Sequence, residues 1–206
     1  MRSTAERFER AEPLPGDEVV ADPDWTTNFA IDVAARPEAV WPWLLQMGYG
    51  RAGWYTWFPL DNGGVPSADT VVPALQDVKV GDVFPDGPRA AEGFGVWRVR
   101  RLDPNRALVL HSRREPVTGR EIPTDGQAAK DIRTDPGFID CTWAFVLVPT
   151  PSGTRVRVRV RAGLRGRLAK PGLAKLARLL FGVGDNVMEN SLLVGLRARA
   201  EGVGAH

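Results

Sequence analysis

Cysteine is nearly absent: Cys141 is the only one in 206 residues. A disulfide within the chain is excluded, and a zinc site built on thiolates is not expected. Histidine is almost as scarce, with His111 in the interior of the sequence and His206 at its end. No H-x-x-x-H or C-x-x-C spacing occurs, so neither a metal nor another cofactor is expected. No serine lies in G-x-S-x-G, which removes the common nucleophile elbow. No apolar run approaches the roughly 20 residues of a membrane span. Residues 1–15 are polar and charged and lack the apolar stretch of a secretory signal, so the expected location is the cytoplasm.

What is present suits one globular domain. Hydrophobic residues make up 43% and charged residues 25%, close to soluble averages, and the length can support a core of useful size. The charge is split along the chain. Residues 1–93 carry 7 bases and 15 acids (7 − 15 = −8), and residues 94–206 carry 20 bases and 10 acids (20 − 10 = +10), which together give the net +2. Two differently charged faces of one domain explain this better than a nucleic-acid surface, for which no recognition motif is present.

Residues 1–24 read as an acid- and proline-rich arm, residues 25–201 as the domain and residues 202–206 as a tail. Trp25 to Val33 alternates as a strand, with Phe29, Ile31 and Val33 on one face. Arg36-Pro37-Glu38 opens a helix, kinked or shortened by Pro42, and Trp54 to Asp61 reads as a second short helix. A short strand is expected near Val78. Gly93 to Leu102 with Ala107 to Ser112, and Phe138 to Val148 with Thr154 to Gly163, read as two hairpins. Val156, Val158 and Val160 must face the core, with Arg155, Arg157, Arg159 and Arg161 opposite. The long polar stretch 113–137 reads as a lid or a disordered segment. From Gly172 to Ala200 the period turns helical, with Leu173, Leu176, Leu180, Val183, Val187 or Met188, Ser191 or Leu192, and Gly195 on one stripe. Strands in a run with helices at the ends predict an α+β fold in which a long C-terminal helix lies across an antiparallel sheet.

Gly48 to Gly53 matches G-x-G-x-x-G literally, but it follows a helix, not a strand. It reads as a tight turn, not a nucleotide site. Several carboxylates, Asp61, Asp69, Asp140 and Glu189, could serve proton transfer if buried. Seven tryptophans stand at positions 25, 41, 43, 54, 57, 97 and 143. Those at 54, 57, 97 and 143, with Tyr55, suit either a packed core or the wall of an apolar ligand site.

A set of short segments resembles the START-like (SRPBCC) superfamily, and in particular a branch of uncharacterised actinobacterial-type proteins. They are Pro37 to Leu44, Gln46-Met47-Gly48, Arg51-Ala52-Gly53-Trp54-Tyr55, Leu60-Asp61-Asn62, Ser67-Ala68-Asp69 and Val80-Gly81-Asp82. The series continues with Trp143 to Leu147, Thr154-Arg155, Met188-Glu189 and Arg197 to Glu201. The resemblance implies a helix-grip fold with an internal cavity for an apolar molecule. It covers both carriers and enzymes, so it leaves function open.

The leading expectation is a binder of a hydrophobic small molecule or lipid, with Trp54, Tyr55, Trp57, Trp97, Trp143 and Met188 lining the cavity. The enzyme alternative, a polyketide cyclase or dehydratase, has His111, Asp61 and Tyr55 as its candidate proton-transfer groups. A third alternative is peripheral contact with an anionic membrane or partner through Arg155 to Arg178, which holds nine bases and no acid.

Overall fold

In the computed structural model, which describes residues 11–57, 59–122 and 137–202, six strands form one antiparallel sheet in the order β1-β6-β5-β4-β3-β2. The strands are β1 (Trp25–Val33), β2 (Val83–Pro85), β3 (Val96–Asp103), β4 (Ala107–Arg114), β5 (Phe138–Thr150) and β6 (Gly153–Arg165). Two α-helices complete the frame, α1 (Pro37–Gln46) and the long C-terminal α2 (Pro171–Ala200). The α+β class with a terminal helix is as expected from the sequence, and the arrangement is compatible with a helix-grip fold.

Helix α1 starts where Pro37 supplies a preset first turn, and it is short, ten residues with Pro42 inside it. The second helix expected over Trp54 to Asp61 is only a single 3-10 turn, Pro59–Asn62. Trp54 to Trp57 are irregular because their backbone is held by side chains from elsewhere. The short strand falls at Val83–Pro85, not near Val78. Residues 113 and 114 extend β4, and Arg114 and Glu121 form an isolated bridge. The rest of the expected lid, residues 123–136, lies outside the described residues.

Register sorts the side chains into two faces. Phe29, Val158, Phe145 and Leu108 form one row across β1, β6, β5 and β4, and Thr27, Val160, Trp143, Leu110 and Val99 form the next, ending on β3. These rows share one apolar cluster with Val40, Trp41 and Leu44 of α1 and Leu192, Leu193 and Leu196 of α2. Each fully buried leucine of this kind contributes about 1.5–3 kcal/mol relative to exposure. This is the inner face.

The stripe of α2 agrees with the expected one at Leu192 and Gly195 and departs from it earlier, the side chains at 176, 180 and 183 lying outside the described residues. Glu189, Leu192, Leu193 and Leu196 are buried, a spacing of i, i+3, i+4 and i+7 that places one face against the core. Leu173, Val187 and Met188 are exposed. The glutamate in the stripe disguised its phase in the sequence.

The outer face is covered by the arm. Leu14 and Val20 are buried, and a Cβ on Gly16 would touch the Val109 side chain at 2.6 Å. The β6 arginines therefore lie on the face opposite Val156 and Val158, as the alternation requires, but they are not all solvated. Arg157 and Arg159 are 7% and 3% exposed. Arg159 donates to Asp17 Oδ2 at 2.6 Å, Asn28 Oδ1 at 2.7 Å and the Glu12 carbonyl at 3.0 Å. Arg157 meets Glu12 at 2.6 Å, and Arg155 meets Asp32 at 3.0 Å. Arg161 and Arg165 donate to the carbonyls of Val20, Ala21 and Asp22. The acidic first half and the basic second half of the sequence meet here as partners.

Candidate ligand site

The segment between α1 and residue 70 is organised by side chains that grip backbone. Gln46, fully buried, donates to the Thr70 carbonyl and accepts from the Val72 N–H at 2.9 Å. Arg51 reaches back to the carbonyls of Leu45 at 2.8 Å and Met47 at 3.0 Å, satisfying the C-terminal end of α1 with a cation, and it lies over the Phe84 ring. Asn62 accepts from the Gly50 N–H and donates to the Val65 carbonyl. Gly48 to Gly53 closes as a tight turn through a Gly48–Gly53 bridge. It follows a helix and leads into irregular chain, so the glycine pattern has no phosphate-binding context.

Tyr55 is the pivot of this segment. Its φ of +61° is unusual for a residue with a Cβ, and it persists because its surroundings determine it. The Tyr55 N–H donates to Ser67 Oγ at 3.1 Å, and its hydroxyl donates to the Trp43 carbonyl at 2.8 Å. Arg199 of α2 lies over its ring at 4.7 Å and donates to the Ala68 carbonyl at 2.7 Å. Gly195 of α2 sits directly against the Tyr55 carbonyl. Burial pushes the phenol pKa far above its ordinary value.

The strained turn sets Trp54 on the inner face of the sheet. Trp54 stacks on Trp143 of β5, with ring centroids 5.2 Å apart and planes 27° from parallel. Trp143 in turn meets Trp97 of β3 at 5.3 Å and Phe145 at 5.0 Å. Trp97 and Trp143 are 8% and 5% exposed. The indole N–H of each is buried and has no hydrogen-bond partner among the described residues.

One end of the aromatic array is polar. The Arg114 guanidinium lies 4.8 Å over the Trp97 ring, pairs with Asp86 at 2.6 Å and donates to Ser112 Oγ at 2.9 Å. Ser112 donates to the Val96 carbonyl, and Cys141 donates to the Ser112 carbonyl at 3.4 Å. Burial works against the Arg114 charge, but Asp86 and Cys141 outweigh it and raise the pKa, so Arg114 stays a cation.

Of the six residues expected to line a cavity, Trp54, Trp97 and Trp143 come together. Tyr55 joins the same core but spends its hydroxyl on Trp43. Trp57 and Met188 lie on the surface instead, 71% and 45% exposed. Trp57 follows the point where the chain turns outward, its N–H held by Ser191 Oγ, and Met188 falls one position off the buried stripe of α2.

The three candidate proton-transfer residues are dispersed. Asp61 accepts from Thr56 Oγ1 at 2.5 Å and fixes its own loop. Tyr55 is engaged as described. His111 pairs in register with Arg98 and Thr142 on the outer face, where its Nε2 meets Asp140 at 2.7 Å. Asp69 is exposed. Within the basic run from Arg155 to Arg178, Arg155 to Arg165 are engaged by the arm and β1, whereas Arg167, Lys170 and Lys175 are exposed. No motif in the sequence marks Arg114, Asp86 and Ser112. Strand parity carried the signal, since Leu108, Leu110, Ser112 and Arg114 alternate on one face of β4.

Among the described residues no group of histidine, cysteine and carboxylate side chains could hold a metal ion. Among the described residues, too, no helix is long and apolar enough to cross a membrane.

No family model matches the chain, and no curated protein matches it. Solved structures do resemble it. A protein from Mesorhizobium loti is 16% identical over 85% of this chain and 96% of its own, with a TM-score of 0.39. A protein from Nitrosomonas europaea is 14% identical over 86% and 95%, with a TM-score of 0.45. A protein of unknown function from Staphylococcus aureus is 10% identical over 84% and 94%, with a TM-score of 0.43.

Proposed function

We propose that this chain is a START-like, helix-grip protein of the cytoplasm that holds a hydrophobic small molecule or lipid between the inner face of its sheet and α2. The observation that carries this reading is the Trp54–Trp143–Trp97 array, with two buried indole N–H groups that have no partner among the described residues. A buried unmet donor costs about 1–3 kcal/mol. A molecule that stacks on the rings and accepts from them would recover that cost. Apolar walls with a few placed donors are the usual make-up of small-molecule sites. The sheet order and the terminal helix support the fold part of the reading, as do the segments that resemble the superfamily.

The cyclase or dehydratase alternative draws less support, because His111, Asp61 and Tyr55 are each committed to a different partner. Contact with an anionic membrane is favoured by the exposed Trp57, Val187 and Met188 together with Arg167, Lys170 and Lys175.

Native mass spectrometry of the purified protein, followed by solvent extraction, tests the leading reading. A discrete added mass that is released as an apolar compound is expected. A clean unliganded mass, with no gain after incubation with an extract of cellular lipids and apolar metabolites, would remove it.

A further inference from the structure

The inner-face array also bears on what kind of ligand it would take, an inference that rests on the binding reading above. Tryptophan can only donate through its ring nitrogen, so Trp97 and Trp143 together ask for acceptors and offer none. The two donors stand on adjoining rings, centroids 5.3 Å apart, both buried. A pure hydrocarbon would leave both unmet. A lone water is poorly held among aromatic rings that offer it no acceptor, since ordered buried waters make about three hydrogen bonds.

The cation at the end of the array does not change this to a site for an anion. Arg114 is matched by Asp86 at 2.6 Å, and its Nε is spent on Ser112. The other two arginines near this core, Arg51 and Arg199, donate to backbone carbonyls of Leu45, Met47 and Ala68. An entering carboxylate would lose its water and meet a guanidinium that is already neutralised, with Asp86 beside it.

We infer that the ligand of this site is an uncharged, largely aromatic or alicyclic molecule bearing ketone-, ester- or lactone-type oxygens, which accept from the indole N–H groups of Trp97 and Trp143. Free fatty acids and other carboxylates are the class it discriminates against.

Three probes with one ring system separate the possibilities. Equilibrium dialysis of the full chain at neutral pH would compare 2-acetylnaphthalene, 2-ethylnaphthalene and 2-naphthoate. The acetyl compound is expected to bind about tenfold tighter than the ethyl compound, the equivalent of about 1.4 kcal/mol, and the naphthoate more weakly than the acetyl compound. In W97F and W143F, which keep an aromatic ring but lose the donor, the acetyl-to-ethyl ratio should fall towards one. Equal binding of acetyl and ethyl probes by the unaltered chain, tightest binding of the naphthoate, or an unchanged ratio in both variants would overturn the inference and leave the binding reading standing. Binding of none of the three also overturns it, and the binding reading is then judged on the mass spectrum alone.

Discussion

One substitution made at two glycines of the same helix should have opposite effects. Gly195 and Gly172 both lie in α2, where alanine is preferred to glycine by up to about 1 kcal/mol on helix propensity alone. At Gly172 a Cβ would meet nothing within 4 Å, so Gly172→Ala should stabilise the fold by about 0.5 kcal/mol, less than the full value because it sits in the first turn. At Gly195 the new Cβ would run into the carbonyl oxygen of Tyr55. That carbonyl cannot retreat easily. Tyr55 is held by Ser67 at its N–H and by Trp43 at its hydroxyl, and Arg199 lies over its ring. Forcing a methyl into such a contact costs about 1–3 kcal/mol or more, which exceeds the propensity gain. Gly195→Ala should therefore destabilise by about 1–2 kcal/mol. For a chain of this size that is a fall in Tm of about 2–8 °C, against a rise of about 1–2 °C for Gly172→Ala. Thermal and urea unfolding of the two variants measure both signs. Stabilisation by Gly195→Ala would refute the claim that α2 locks Tyr55, and with it the argument that the strained turn is fixed by its surroundings.

Asp17→Asn should cost about 3 kcal/mol in urea unfolding, because it removes a charged partner that the buried Arg159 guanidinium meets at 2.6 Å. Asp17→Asn combined with Arg159→Met should recover part of that loss, and a single variant within 0.5 kcal/mol of the unaltered chain would show the arm contact to be idle. Tyr55 predicts an alkaline weakening. Its folded pKa lies above the unfolded value of about 10, so the folded state holds the proton that the unfolded state releases, and stability falls as the pH rises past 10. Ultraviolet titration should count one tyrosinate fewer in the folded chain than in denaturant near pH 11, and ionisation of both tyrosines in the folded state at that pH would contradict the burial described.

The strands were legible because alternation is a local signal: Phe29, Ile31 and Val33 in β1 and Val156 and Val158 in β6 mark the inner face without reference to anything distant. The helix phase was legible only at Leu192 and Gly195, because Glu189 occupies a buried position and Val187 and Met188 an exposed one, the reverse of what hydrophobicity implies. The same limit applies to the arginines of β6. Alternation correctly sets them opposite the valines, but their burial depends on an arm more than a hundred residues earlier. Of the site, the residue types in Trp54, Trp97 and Trp143 were suggestive, while the neighbouring Trp57 was not distinguishable from Trp54 until the backbone turn at Tyr55 separated them. Several short motifs that suggested a family, Gln46, Arg51, Asn62, Ser67 and Arg199 among them, turn out to be the clamps that hold this turn.

The arm also bears on the order in which the fold is completed. Asp17 and Arg159 are 142 positions apart, so a ribosome-bound chain would carry its arm without a docking surface until β6 had been made. Until then Val109 and Ala144, which are buried in the finished protein, would have no cover on the outer face. Contacts this distant in sequence are slow to form. The step that seals the outer face is thus among the last available to the folding chain, although half of its partners are made near the beginning.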